Sequence, residues 1–152
     1  MSDNSGASAA RRTFDWPVRV YWEDTDAGGI VYYANYLKFF ERARTEWLRA
    51  LAVSQSALAA DPGLVFVVAE VNLRYRAPAR LDDLLQLQLQ VQELGTAHIT
   101  LAQQAWRLDG DGEPQRRLAE ATVRVGCVEV ADLRPARIPA DVCAAVSPWV
   151  AG

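Results

Sequence analysis

Three carboxylates within four residues, Glu23, Asp24 and Asp26, stand directly before a Gly28-Gly29 turn and the run Ile30-Val31-Tyr32-Tyr33-Ala34-Asn35-Tyr36. Acidic residues are common ahead of helices, where they cap free N–H groups and favour the positive end of the dipole. Capping accounts for the aspartates. It does not account for the double glycine, or for apolar and aromatic residues where a surface loop would be polar. Few other groups for chemistry are present. His98 is the single histidine, and Cys127 and Cys143 are the two cysteines, so no zinc-finger, HExxH or paired CxxC spacing can be written and no metal site is expected. His98, midway along a run of small and β-branched residues, reads as a structural or surface histidine, and Cys127 as core.

The elements that must hold the acidic segment are legible from periodicity. Before it, Phe14–Trp22 is rich in aromatic and β-branched residues, with Val18 and Val20 alternating against Arg19 and Tyr21, and is expected to be a first strand. After it, Tyr36, Phe39, Phe40, Ala43, Trp47, Leu48 and Leu51 recur at helical spacing, with Lys38, Glu41, Arg42, Thr45, Glu46 and Arg49 on the other side. This predicts one long amphipathic helix. A shorter helix is expected over Ser54–Ala60, capped by Ser54 and stopped by Asp61-Pro62-Gly63. Four strands follow: Leu64–Tyr75, ending at an edge or bulge near Pro78; the alternating run Leu85–Gln92; Thr96–Leu108; and Leu118–Val130. In the second of these, Leu85, Leu87, Leu89 and Val91 line one face and Gln86, Gln88, Gln90 and Gln92 the other. The fold class expected is α+β, an antiparallel five-stranded sheet packed on one long helix.

The 152 residues suit a single domain, able to bury roughly 70% of its unfolded surface. The expected organisation is a disordered tail over 1–13, one domain over 14–140 and a C-terminal tail over 141–152. A hydrophobic fraction of 51% with 23% charged residues excludes a wholly disordered chain. A net charge of −3 argues against nucleic acid as the main partner, although fifteen of the sixteen cations are Arg, which suits local phosphate sites. The segment MSDNSGASAARRTF lacks the apolar core of a signal peptide, and no run of about 18 apolar residues occurs, so membrane insertion is not expected. With two cysteines read as free thiols, the expected compartment is the cytoplasm.

Arg19-Val20, then four residues, then Thr25-Asp26-Ala27-Gly28-Gly29-Ile30-Val31, ending in Tyr36, resembles the signature of the 4-hydroxybenzoyl-CoA thioesterase group of hotdog-fold proteins. Tyr21–Gly29, Phe40–Glu46, Phe66-Val67-Val68, Ala77–Asp83 and Arg134-Pro135 further resemble the bacterial acyl-CoA thioesterases associated with the Tol-Pal envelope system. The resemblance spans about residues 14–140. It implies a hotdog fold, with the sheet wrapped around the long helix, and hydrolysis of acyl-CoA, or acyl carrier protein, thioesters in envelope or lipid metabolism. Asp26 is then the catalytic carboxylate, acting as nucleophile on the carbonyl or as general base for water. The Tyr33 backbone N–H polarises the carbonyl at the start of the helix. Many Tol-Pal-associated relatives carry His at this position; the 4-hydroxybenzoyl-CoA enzymes resemble this chain in having Tyr. Gly28, Gly29, Val31 and Tyr32 fall at substrate-binding positions. No separate cofactor is implied, coenzyme A being part of the substrate.

Coenzyme A carries phosphates, and Arg134 and Arg137 are the first candidates to meet them, with Arg74 and Arg76 behind. Asp24 is expected to hold the loop, and Glu41 to be a charge-paired surface residue. Trp16, Trp47 and Trp106 read as core or interface anchors. A homodimer or homotetramer is expected, because a five-stranded sheet leaves open edges and the nearly uncharged Gln face suits a subunit contact; the resemblance adds that active sites form between chains. The competing reading is a non-catalytic hotdog scaffold that binds acyl chains or partner proteins. The intact Asp26-Ala27-Gly28-Gly29 element favours the enzyme. A hydratase needs a His–carboxylate pairing, which His98 alone, outside the motif, does not supply.

Overall fold

The computed structural model describes residues 12–150, so the tail expected over 1–13 lies, but for Arg12 and Thr13, outside the described residues. Strand β1 (Phe14–Arg19) leads through a 3-10 turn (Trp22–Asp24) and a hairpin to helix α1 (Asn35–Ala50), then to α2 (Gln55–Ala60). Strands β2 (Leu64–Tyr75), β3 (Leu84–Leu94), β4 (His98–Leu108) and β5 (Pro114–Glu129) follow, and then α3 (Ala140–Val146) and a second 3-10 turn (Ser147–Trp149). The sheet is antiparallel throughout, in the order β1-β3-β4-β5-β2.

The core forms where two periodicities meet. Tyr36, Phe39, Phe40, Ala43, Trp47 and Leu48 of α1 are buried, as are Leu85, Leu87, Leu89 and Val91 of β3. Each large apolar side chain so buried contributes roughly 1.5–3 kcal/mol. Gln86, Gln88 and Gln90 lie half-buried on the opposite face. Helix α2 starts where expected, with the Ser54 hydroxyl accepting from the Ala57 N–H at 3.1 Å.

Three expectations need correction. Strand β1 stops at Arg19 and does not continue to Trp22, because the Asp24 carboxylate takes the Tyr21 N–H at 2.9 Å and turns the chain out of the ladder. Strand β5 begins at Pro114, four residues before Leu118, because Asp109 Oδ1 accepts from the Asp111 and Glu113 N–H groups and closes the turn early. The C-terminal segment is not a free tail up to Val150. Val142 and Val146 of α3 are buried, Trp149 packs edge-on against Trp47 at 6.0 Å, and Val150 bridges to Val91.

The two edges of the sheet differ. Strand β1 has six residues and carries Pro17, which withholds a donor from any incoming strand. Strand β2 has twelve, is unpaired on its outer side and exposes Val67, Val68 and Val71. A long, apolar, open edge is a template for pairing with another strand.

Candidate active site

Between the 3-10 turn and α1 the chain makes a tight hairpin. The Asp26 N–H donates to the Ile30 carbonyl at 2.9 Å and the Gly29 N–H to the Asp26 carbonyl at 3.0 Å, leaving Ala27, Gly28 and Gly29 as the loop. Gly29 has φ +78°, the left-handed position that closes such a three-residue loop and that glycine occupies without strain. At Gly28 the need is proximity: its N–H donates to Asp26 Oδ1 at 2.8 Å, and a Cβ there would sit 3.3 Å from that same oxygen. The glycines therefore shape the loop around Asp26, whose side chain stands exposed with its second oxygen free of protein partners among the described residues.

The hairpin is fastened to both neighbouring elements. Asp24 is 4% exposed and accepts from the Tyr21 N–H and from Asn35 Nδ2, each at 2.9 Å, while its carbonyl takes the Tyr32 N–H. Asn35 opens α1 and is itself buried. One side-chain bridge thus locks both ends of the segment 25–34. On the far side, Ile30 pairs with Arg80 and the Val31 N–H donates to the Ala79 carbonyl.

No carboxylate caps α1. Ala34 occupies the cap position without a side-chain acceptor, and no acidic residue lies in the first turn. Among the described residues the N–H groups of Tyr33 and Ala34 have no acceptor. Capping is therefore not what Asp26 does here. The helix instead presents open donors and the positive end of its dipole beside an exposed carboxylate, which suits a developing oxyanion. Tyr75 of β2 donates from its hydroxyl to the Tyr33 carbonyl at 2.8 Å, orienting the peptide unit that contains the Ala34 N–H. Burial and the nearby Tyr33 hold the Tyr75 phenol above its usual value, so it stays protonated as a donor. Tyr32 is likewise raised by the neighbouring Tyr33 phenol, whose ring lies 4.7 Å away.

Asp26, Gly28, Gly29, Tyr32 and Tyr33 are thus brought together on one exposed hairpin. Val31 is not presented with them. It is 6% exposed, and its side chain forms part of the core beneath the loop. Arg134 and Arg137 are not near this hairpin in the same chain. Arg134 lies beside Glu129, which pairs with Leu64, whereas the hairpin lies at Tyr75; β2 separates the two by roughly 35 Å. Arg134 pairs with Asp132 at 3.2 Å and is otherwise exposed. Arg74 and Arg76 do lie at the Tyr75 end, with Arg76 Nε donating to Glu120 at 2.9 Å. Arg80 was missed. Its backbone pairs with Ile30, directly across from Asp26, and its exposed side chain has no carboxylate partner among the described residues. The contact that reveals it is non-local, which the local run Ala77–Asp83 could not show.

The remaining candidates have structural occupations. Glu41 accepts from the Thr45 hydroxyl, His98 pairs with Glu93 at 2.7 Å, and Cys127 is buried, which raises its thiol above the ordinary value. Among the described residues no cluster of His, Cys, Asp or Glu could hold a metal ion, and no helix is long and apolar enough to cross a membrane.

A family model described as the thioesterase-like superfamily matches residues 20–146. A curated relative from Haemophilus influenzae, the acyl-CoA thioesterase YbgC, is 46% identical over 132 residues, covering 87% of this chain and 93% of its own length. The acyl-CoA thioester hydrolase YbgC of Escherichia coli O6:H1 is 43% identical over 131 residues, with coverage of 86% and 93%. Among solved structures, a 4-hydroxybenzoyl-CoA thioesterase complexed with 4-hydroxybenzoyl-CoA superposes with TM-score 0.81 at 20% identity, over 88% of this chain and 98% of that one. A thioesterase from Bartonella henselae, described as probable, gives TM-score 0.74 at 33% identity, over 84% and 100%.

Proposed function

The chain belongs to the thioesterase-like superfamily, and on that premise we propose that it hydrolyses acyl-CoA thioesters at the Asp26 hairpin. The observation that carries the site is the juxtaposition of an exposed, glycine-framed carboxylate with uncapped N–H groups at the start of α1. The thioester carbonyl oxygen accepts from the Tyr33 N–H, which stabilises the negative charge that forms on it. Asp26 opens the ester by one of two routes. It attacks the carbonyl carbon, expels the thiolate and leaves an anhydride that water cleaves; or it takes a proton from water, which attacks in its place. Either way water is consumed, and a free acid and a thiol leave. Trapping a single turnover with hydroxylamine separates the routes, since only the anhydride of the first route acylates Asp26 and can yield a hydroxamate on that side chain.

The exposed position of this hairpin on the single chain supports a site shared between two copies. Full pairing of β2 with itself about its midpoint sets the Leu64 end of one chain against the Tyr75 end of its partner. Arg134 and Arg137 then approach the partner's hairpin, which is how they can serve coenzyme A phosphates, with Arg80 acting from the hairpin's own chain. The unit is a homodimer, or a homotetramer in which the Gln86-Gln88-Gln90 face joins two dimers. The finer setting is cytoplasmic hydrolysis of CoA or acyl carrier protein thioesters alongside the Tol-Pal envelope system, supported by the motif likeness above. Thiol release from matched CoA and acyl carrier protein esters of increasing chain length tests the reading; hydrolysis of none of them would favour the acyl-binding scaffold.

A further inference from the structure

The entry to α1 departs from regular helix geometry. In an unbroken α-helix the Leu37 N–H would reach the Tyr33 carbonyl, but here it donates to the Ala34 carbonyl at 3.1 Å. The Tyr32 carbonyl is met by the Asn35 N–H at 2.8 Å. The Tyr33 carbonyl is left without a main-chain partner among the described residues, and the Tyr75 hydroxyl is the group that meets it, at 2.8 Å. Each carbonyl shares a rigid peptide plane with the N–H of the next residue. The Asn35 N–H thus fixes the plane that carries the Tyr33 N–H, and Tyr75 fixes the plane that carries the Ala34 N–H. Those are the two N–H groups at the start of α1 that have no acceptor. A hydrogen bond accepted by the carbonyl also polarises the amide, which makes its N–H a stronger donor.

Burial does not dictate where this hydroxyl points. Tyr75 is 47% exposed, and water could satisfy its hydroxyl if the ring turned outward. The ring is instead held by its neighbours. It packs edge-on against Tyr36 at 5.5 Å and against Tyr33 at 6.4 Å between centroids. Tyr36 is 2% exposed and is itself fixed, its hydroxyl accepting from the Ala79 N–H at 3.2 Å. The Ala79 carbonyl takes the Val31 N–H, so the same loop steadies both the hairpin and the ring that aims Tyr75.

We propose that two donors meet the oxyanion, the Tyr33 and Ala34 N–H groups, and that Tyr75 is the positioning residue for the second. The inference rests on the hydrolytic reading of the hairpin above. Tyr75 has no part in proton transfer, because its proton is committed to the Tyr33 carbonyl. It acts by holding one amide plane still and polarised while charge develops opposite, which lowers the barrier without tightening the ground-state complex. As the last residue of β2, it also ties that donor to the end of the open edge strand.

Tyr75→Phe keeps the ring and removes only the hydroxyl. It should lower kcat by about three- to tenfold, the range of one neutral hydrogen bond, with KM and the sedimenting assembly unchanged. Infrared spectra of a ¹³C-carbonyl acyl-CoA bound to Asp26→Asn give a reading that needs no turnover: adding Tyr75→Phe should shrink the downshift of the thioester carbonyl band. The route through Ala34 is tested by an ester in place of the Tyr33–Ala34 amide, which deletes that N–H alone. The ester should cost about tenfold or more in kcat, and this measurement stands if the Phe variant misfolds. On the ester background Tyr75→Phe should cost less than about twofold further, since the two changes remove one effect. An unchanged kcat in Tyr75→Phe, or a carbonyl band insensitive to it, would overturn the role of Tyr75. A harmless ester, or a full further loss on that background, would overturn the second donor. An Asp26→Asn chain that hydrolyses the bound ester at the wild-type rate would instead sink the hydrolytic site itself, whatever Tyr75 does.

Discussion

Tyr33 separates a backbone role from a side-chain role. If only its N–H meets the oxyanion, Tyr33→Phe should keep kcat within a few-fold of wild type, while Tyr33→Pro, which removes the donor, should cost roughly 10²–10³-fold in kcat. Comparable losses in both would show that the hydroxyl acts. Asp24 and Asn35 are positioning residues. Their bridge touches neither substrate nor oxyanion but fixes the hairpin against α1. Asn35→Ala leaves a buried carboxylate short of one donor, which should destabilise the fold by about 1–3 kcal/mol and lower kcat more than it raises KM. Asn35→Asp sets two carboxylates together and should be more destabilising than Asn35→Ala. Equal stability of the two variants would count against the clamp. At this scale the candidate pair Asp26 and Tyr33 was legible as a candidate because its motif is contiguous. Arg80 was not, because it reaches the site through a strand pairing some fifty residues away in the chain.

Among the elements, the hairpin depends on Gly29. Its φ of +78° makes any side chain there strained, so Gly29→Ala should lower stability by about 1 kcal/mol and reduce kcat by displacing Asp26, measurable by thermal melting alongside the hydrolysis assay. Helix α1 and strand β3 were readable without the structure because their apolar positions repeat at helical spacing and at every second residue. The ends of β1 and β5 were not. One is decided by the Asp24 side chain and the other by Asp109, single hydrogen bonds that leave no periodic trace. The packing of α3 was missed for a related reason: Val142 and Val146 are too few to form a pattern, and Trp149 finds Trp47 only after the chain has returned to the core. Val31 was placed by its position in a motif, which says nothing of the direction in which the hairpin turns its side chain.

For the whole molecule, the proposed pairing of two β2 edges links the open edge to the exposed hairpin, since the same contact would cover the first and complete the second. Val71→Lys, at an exposed position on that edge, should weaken the dimer and lower activity in parallel, with specific activity falling as the protein is diluted. Charge reversal at Arg134 and Arg137 should raise KM for CoA esters with little change in kcat, because a distant phosphate contact is made equally in ground and transition states. It should leave a truncated pantetheine thioester unaffected. The claim beneath all of these is that the Asp26 carboxylate carries out hydrolysis. Steady-state turnover of a good acyl-CoA ester by Asp26→Asn, at a concentration where sedimentation shows the wild-type assembly, tests it most directly. The amide is nearly isosteric but is neither base nor useful nucleophile, so the expected result is an unchanged assembly with kcat reduced by roughly 10²–10⁴-fold or more; a variant turning over at close to the wild-type rate would contradict the account.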